Sequence, residues 1–596
     1  MSLILSRRDM DFLLFEWLDV EGLLTRPRYA EHDRETLNAV LDLAQQLAED
    51  LFAPHNKMAD ANEPRMLADG AVAMPAATKT ALDALSASGL LAASQSTDVG
   101  GMQLPFVVDK AAFAWLQAAS AGISGYALLT MAAANLLIEH GSAEQIERYA
   151  KPLLQGRFFG TMCLSEPQAG SSLGDIRTRA ERDGQGAFRL FGSKMWISGG
   201  EHSLSESIVH LVLARIDGAP AGVKGLSLFI VPRDLPTAEG GSERNDVTLA
   251  GLNHKMGQRG TVNTLLNFGE GQSRPGGESG AVAYLVGREG AGLSAMFTMM
   301  NEARISVGAS AAALGYTGYL HSLDYARQRP QGRPAGAKDA TSPQVPIIRH
   351  ADVKRMLLAQ KAYAEGALAL NFYCARLVDD LRTGPEAESA AVSGLLDLLT
   401  PIAKSWPSQF CLEANALAIQ VLGGYGYTRD FNVEQFYRDN RLNPIHEGAH
   451  GIQAIDLLGR KVVIGQGAAF EEFQRRVARS CKQARALGGE ESEHASAVET
   501  LLAAVVETTA VLHAADDPEL TLANASQYLE AFGHLTIGWI WLEQLIAAHG
   551  KVGDFYDGKR AAARYFRLWE LPRTGPMLAL LSSLDRTTLD LEPAWL

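Results

Sequence analysis

The chain has little cysteine. Its four cysteines, Cys163, Cys374, Cys411 and Cys481, form no C-x-x-C pair, which excludes a disulfide scaffold and suits a reducing compartment such as the cytoplasm. Positive charge is not in surplus: the formal net charge is −14, which disfavours a nucleic-acid-binding surface. No run of about 18 uninterrupted apolar residues occurs, so no spanning helix is expected. The nearest approach, LTIGWIWLEQLIAA (535–548), is short and carries Glu543, and reads as a buried helix. The N-terminus, MSLILSRRDMDF, has too short an apolar run for a signal peptide. No P-loop occurs, and the strand-rich part holds no G-x-G-x-x-G.

What is present is an ordinary globular composition, 47% hydrophobic and 20% charged over 596 residues. That length predicts several domains. Asp9 to Leu24 reads as a helical lead segment. From residue 33 to about 157 the pattern is helical, with LNAVLDLAQQLAEDLFAP ending at a proline and ALLTMAAANLLIEHG ending at Gly141. At about 158 the texture changes. FFGTMCL, IVHLVLAR, LSLFIV, TVNTLLNF and VAYLV are short β-rich runs between turn-rich spacers. No helices alternate with them, so this is not a Rossmann unit. Helical texture returns near Ala291, first as one long helix or a broken pair, then over 347–381 and 391–422, with a Pro/Gly-rich loop over 329–344 between. Residues 463–596 are also helical in pattern, with 12 Lys+Arg against 18 Asp+Glu, a net of −6.

The chain is organised around RDNRLNPIHEGAHGIQAIDLLGRK (438–461). Pro444 and Gly448 predict a loop that delivers the carboxylate of Glu447 to the mouth of a helix. The string His446-Glu447-Gly448-Ala449-His450 formally matches the zinc motif H-E-x-x-H. That chemistry needs both imidazoles on one helix face, and the proline and glycine oppose it. Read without a metal, Glu447 is a general base.

Arg438, Asp439, Glu447, Gly448, Ile452 and Gln453 resemble the C-terminal signature of the acyl-CoA dehydrogenases, in which an R-D pair leads to Y-E-G-T and I-Q. His446 stands where an aromatic is usual and Ala449 where Thr is usual. Further stretches resemble the same family. In MCLSEPQAGSS (162–172), Ser165, Glu166, Pro167, Gly170 and Ser171 match T-E-P-x-x-G-S-D. Ser172 stands in place of the Asp, for which Asp175 is a substitute. KMWIS (194–198) matches K-x-W-I-[ST]. Asn301-Glu302-Ala303-Arg304 stands where relatives place an acid and an Arg that contact CoA, and Ala303 rules out the alternative helix-borne base. YARQRPQGR (325–333) offers Arg329, with Arg327 as the other candidate, and QVLGGYG (420–426) matches Q-x-x-G-G-x-G.

The resemblance implies an α+β multidomain fold. It comprises an N-terminal helical extension (1–32), an N-terminal helical domain (33–157), a middle β-barrel-like domain (158–290), a C-terminal helical bundle (291–462) and an additional C-terminal helical domain (463–596), as in the long-form bacterial branch. It implies FAD as cofactor, held by Met162, Leu164, Ser165, Ser171, Trp196, Ile197, Ser198, Arg329, Gln420, Gly423, Gly424 and His450. It implies acyl-CoA as substrate, contacted by Ser171, Asn301, Arg304 and Gly448, with Glu447 as the catalytic base and no metal. By the same resemblance the protein is a homodimer or larger homo-oligomer acting in fatty acid oxidation, and an electron-transfer flavoprotein takes the electrons. An acyl-CoA oxidase, a DNA-associated flavoprotein of the same superfamily and a zinc hydrolase through His446, Glu447 and His450 are the competing expectations. The acidic balance after 463 opposes the DNA-associated one.

Overall fold

The computed structural model describes residues 2–184, 186–237, 240–336, 339 and 341–596. Of the predicted Pro/Gly-rich loop over 329–344, residues 337, 338 and 340 lie outside the described residues. The chain divides into two compact units. One comprises residues 39–104 and 115–303, and the other residues 1–38, 105–114 and 304–596.

The first unit holds helix α1 (Ala121–His140) and strands β1 (Phe158–Cys163), β2 (Arg179–Arg182), β3 (Phe188–Ser198), β4 (Ser207–Ile216), β5 (Leu226–Pro232), β6 (Val247–Leu252), β7 (Asn263–Phe268) and β8 (Ala281–Val286). Their order is β6-β7-β3-β8-β5-β4-β1, and β2 pairs with both β3 and β4. The strands β3, β8, β5, β4 and β2 therefore close into a ring, the predicted barrel-like domain. The run IVHLVLAR lies in β4 and is nearly continuous in apolar character because both faces are covered. Val212, Ala214 and Ile216 point into the ring with Phe188, Leu190 and Phe229. Val209, Leu211 and Leu213 point the other way, against Ala133, Leu136 and Leu137 of α1. Helix and strand approach closely at Gly160, where a Cβ would lie 2.6 Å from that of Ala133.

Helix α2 (Gly292–Gln328) is one unbroken helix of 37 residues. Its residues to Ala303 belong to the first unit and those from Arg304 to the second. The second unit also contains α3 (Ala351–Thr383), α4 (Glu386–Leu422), α5 (Val433–Asn440), α6 (His450–Asp456), α7 (Ala468–Leu487), α8 (Gly489–Ala514), α9 (Ala525–Ala548) and α10 (Asp554–Tyr565). Tyr363 of α3 meets Trp406 of α4 edge-on at 6.0 Å, and Trp406 stacks on Phe410 at 4.6 Å. Helix α9 carries the LTIGWIWLEQLIAA run and is buried along most of its length.

The N-terminal lead and the C-terminal helices share one core. Lys559 of α10 is fully buried; it pairs with Asp9 and, at 2.8 Å, with Glu365 of α3, and donates to Gln544 of α9. Removing one of these charges leaves its partners buried and uncompensated, which is far costlier than losing a surface pair.

Two sequence expectations change. The lead segment is not one helix: a π-turn over Phe12–Trp17 and a left-handed Asp19 (φ 46°) break it into short pieces. Conversely, the helix from Arg34 does not stop before Pro54. A π-turn over Ala48–Phe52 widens the ladder, and helix resumes over Ala53–Ala61 with the proline in its first turn, where no N–H is needed. Two helices, Ala121–His140 and Gly489–Ala514, are long and apolar enough to cross a membrane by length and composition. The first is mostly buried within the fold. The second turns Val498, Leu501, Val505 and Leu512 into the helical core.

Candidate active site

In the second unit, residues 441–449 form turns between α5 and α6, and His450 opens α6. A ladder of asparagines, each fully buried, holds this loop. Asn415 of α4 donates to the Leu314 carbonyl of α2 at 2.9 Å. Asn440 donates to Asn415 at 2.7 Å, and Asn443 donates to Asn440 at 2.9 Å. The ladder ends on Nε2 of His446, 3.1 Å from Oδ1 of Asn443. Asn443 already donates its amide, so its oxygen accepts and His446 carries its proton on Nε2. Burial pulls His446 down to about 3, so it is neutral. His446 therefore serves as the loop's anchor.

Glu447 and Gly448 are both left-handed, with φ 54° and 90°. That conformation is strained for Glu447 and is held from outside. Gln453 of α6 donates Nε2 to the Glu447 carbonyl at 3.0 Å, and Lys404 of α4 donates Nζ to the Gly448 carbonyl at 2.8 Å. A Cβ at Gly448 would lie 2.3 Å from Nε2 of Gln453, so only glycine admits this amide.

The carboxyl of Glu447 is raised to about 6. Enclosure in the protein pushes it up, and Arg304 and Lys404 pull it back. Lys404 is fully buried and, among the described residues, forms no ion pair. Burial draws its ammonium down to about 8, against the attraction of Glu447. Arg304 on α2 is only 5% exposed, its guanidinium 3.7 Å from Asp456. Asp456 in turn accepts from Arg460 at 2.7 Å. Sequence reading did not find Lys404. Its signal was a lone lysine in the otherwise uncharged stretch from Leu398 to Trp406.

The same unit carries Arg329, Gln420, Gly423 and Gly424, all exposed. The Arg329 guanidinium lies 5.7 Å from the Tyr425 ring centroid, and nothing stands within 4 Å of where a Cβ would project at Gly423 or Gly424. His450 is half-buried, and Arg438 is tied to Glu434 one turn away.

In the first unit, two sequence motifs staple one loop. Lys194 of β3, fully buried, donates to Glu166 and to the Leu164 carbonyl, each at 2.9 Å. Glu166 also accepts from the backbone N–H groups of Arg177 and Thr178 at 2.7 and 3.0 Å and from the Thr178 hydroxyl at 2.6 Å. Burial would raise the Glu166 carboxyl, but Lys194 and these donors hold it at about 2. Ser171 is exposed, and Met162, Leu164 and Ser165 are half-buried. Ser172 donates to Asp175, so the predicted substitute acid is already engaged.

On β3 the register against β7 slips between Lys194 and Ile197. This bulge puts Trp196 in the left-handed region (φ 67°) with 61% of its surface exposed. Bulges re-aim side chains in this way next to ligand sites. Ile197 is buried, and Ser198 accepts from Asn263 at 3.1 Å. Asn301 is half-buried on α2, and Glu302 is taken up by Asn135 at 2.6 Å.

The zinc geometry is absent: His446 lies in the turn region on Asn443 while His450 opens a helix. Among the described residues no group of three His, Cys, Asp or Glu could hold a metal.

Family models match along the chain: acyl-CoA dehydrogenase N-terminal domain over 34–157, middle domain over 161–269 and C-terminal domain over 290–463, and acetyl-CoA dehydrogenase C-terminal like over 470–592. The chain is 37% identical to a 3-methylmercaptopropionyl-CoA dehydrogenase of Ruegeria pomeroyi, covering 93% of each chain. It is 32% identical to the broad-specificity linear acyl-CoA dehydrogenase FadE5 of Mycobacterium tuberculosis, covering 98% of each. Its fold is similar to that of Caenorhabditis elegans ACDH-11 in complex with C11-CoA, with TM-score 0.78, 18% identity and coverage of 98% of this chain and 94% of that one. It is also similar to a Bacillus anthracis acyl-CoA dehydrogenase complexed with FAD, with TM-score 0.73, 19% identity and coverage of 98% and 95%. A helical unit and a closed strand ring in one chain, matched in sequence along almost its whole length, place this protein in the acyl-CoA dehydrogenase family of oxidoreductases.

Proposed function

We propose that the protein is an FAD-dependent dehydrogenase that converts an acyl-CoA thioester to the trans-2-enoyl-CoA, with Glu447 as the base. The observation that carries this reading is a carboxylate fixed in a left-handed loop, raised to about 6 and faced by two buried cations, Arg304 and Lys404. A base with that proton affinity is largely ionised at neutral pH and still basic enough to take a proton from carbon activated by a thioester.

The donor set fits a flavin dinucleotide. In the first unit, Trp196 offers an exposed indole, Ser165 and Ser198 are half-buried and Ser171 exposed, and Gly170 has open space where a Cβ would project. In the second, Arg329 and the open backbone at Gly423 and Gly424 suit a pyrophosphate and an adenylate. When bound, FAD supplies the acceptor for the hydride that leaves Cβ.

The chain's own residues do the rest. The Glu447 carboxylate takes the Cα proton, so the substrate loses one proton and one hydride. The backbone N–H of Glu447 donates to the thioester oxygen, where negative charge grows in the transition state. Gln453 and Lys404 hold the two carbonyls that follow, so loop geometry is set before substrate arrives. Bound acyl-CoA excludes water from the carboxylate and raises its basicity further.

Arg329, Gln420, Gly423 and Gly424 face out of this chain, and we read them as holding the cofactor of a second copy, which makes the protein at least a dimer. An electron-transfer flavoprotein then reoxidises the enzyme. Oxygen uptake without an added acceptor would indicate an acyl-CoA oxidase instead.

The test is anaerobic mixing of the flavin-loaded protein with acyl-CoA. Wild type bleaches the flavin band. Glu447→Gln keeps FAD and acyl-CoA binding but bleaches slower by roughly 10²-fold or more. For wild type, kcat/KM rises with pH through about 6, because the base works only when its carboxyl is deprotonated. Bleaching of Glu447→Gln at the wild-type rate would put the base elsewhere.

A further inference from the structure

We propose that Lys404 is a positioning residue for the base: its ammonium pins the Gly448 carbonyl and, with Arg304, supplies the positive charge that keeps Glu447 ionised. The proposal rests on Glu447 being the base.

A lysine in a protein interior is ordinarily paired, because an unpaired buried ammonium is expensive. Lys404 sits in α4 between Pro401 and Pro407, fully buried. Its ammonium donates to the carbonyl of the residue that follows Glu447, at 2.8 Å. The charge within its electrostatic reach that favours its protonation is Glu447 itself. The cost of burying this ammonium is therefore offset at the base and the carbonyl beside it. A core position with no role would be better filled by a leucine or methionine.

The hydrogen bond has a distinct geometric consequence. Glu447 and Gly448 are consecutive left-handed residues, and a loop of that shape relaxes unless its carbonyls are held. The Glu447 carbonyl is held by Gln453 from α6, and the Gly448 carbonyl by Lys404 from α4. Two helices thus grip the peptide units on the C-terminal side of the base, while the asparagine ladder grips the N-terminal side through His446.

The charges around Glu447 come from several elements. Arg304 comes from α2 and Lys404 from α4. Asp456 of α6 engages Arg304, and Arg460 and Asp397 also act on that guanidinium. His446 and His450 flank the loop, and both are shifted toward their neutral forms by burial and by Lys404, with Glu530 opposing at His450. Asp456 partly neutralises the field of Arg304, and Arg460, which pairs with Asp456, offsets part of that effect. Among the described residues Glu447 is the carboxylate that acts on Lys404, so its charge bears on the base.

The test uses Lys404→Gln, which removes the charge and retains an amide donor, and Lys404→Met, which removes both. Each variant is purified with FAD, and its acyl-CoA turnover with a dye acceptor is followed from about pH 5 to about pH 8, where the wild-type Lys404 still carries its charge. In both variants the acid limb of kcat/KM should move to higher pH by about one unit, a roughly fivefold loss at pH about 6 that approaches tenfold at pH about 5. Lys404→Met should also lose more of its high-pH plateau than Lys404→Gln, because the Gly448 carbonyl is no longer pinned. Loss of packing alone would lower the plateau and leave the limb in place. Limbs that superimpose on wild type in both variants overturn the proposal, and equal plateaus in the two variants overturn its pinning half. If Lys404→Met does not fold, the limb of Lys404→Gln decides. The base assignment fails separately, at the wild type, if acyl-CoA does not bleach its flavin.

Discussion

Replacing Lys194 by methionine should loosen one loop and leave the strand ring standing. Lys194 and Glu166 form a buried pair, with side chains 0% and 3% exposed. Glu166 collects the backbone N–H groups of Arg177 and Thr178, so the pair closes the loop from Leu164 to Thr178. The gap between an ordinary 4.5 and about 2 for this carboxyl corresponds to roughly 3 kcal/mol. Burial acts against this on the other partner, since it lowers the Lys194 ammonium more than Glu166 restores it. The net worth of the ionised pair is therefore smaller than that figure. Breaking it from one side is another matter: an abandoned buried carboxylate typically costs about 3 to 5 kcal/mol. Because the carboxyl is held below its ordinary value, its contribution is complete above about pH 4.5 and fades as pH falls toward 2. Amide hydrogen exchange at neutral pH reads the effect at Arg177 and Thr178. About 3 kcal/mol of local opening predicts roughly hundredfold faster exchange there in Lys194→Met, with weaker FAD retention. The double variant Lys194→Met, Glu166→Gln should recover part of the protection, since it abandons no charge. Exchange accelerated less than about threefold in the single variant, or losses that simply add in the double variant, would refute this account of the loop.

Gly448→Ala should lower turnover by roughly ten- to hundredfold while the fold survives, because the new Cβ would meet Nε2 of Gln453 at 2.3 Å in a backbone with φ 90°. Unchanged kcat would show that the Gln453 contact does not position the base. Trp196→Ala should alter the flavin absorbance band and cost under about 1 kcal/mol of stability, since 61% of the side chain is already in solvent. Collapse of the melting temperature with an unaltered flavin band would make Trp196 a packing residue.

The sequence alone settled what depends on local pattern. The order of helix, strand and helix followed from apolar periodicity, and IVHLVLAR was legible as a β-rich run, although only the fold showed that both its faces are covered. Pro444 and Gly448 excluded a helix across the Glu447 loop, because one lacks a donor and the other tolerates a left-handed backbone. The π-turns that interrupt the lead segment and carry helix past Pro54 were not legible, since a one-residue widening of the helical ladder leaves no period to read. Nor were the contacts that define the site. Lys404 and Glu447 are 43 positions apart, Arg304 lies on another helix, and the ladder of Asn415, Asn440 and Asn443 draws on three segments. A buried charge takes its proton affinity from whatever the fold sets beside it, and a bulge takes its shape from the register of the neighbouring strand. Such pairings have no period to read along the chain, so tertiary structure alone set the proton affinity of Glu447 and the exposure of Trp196.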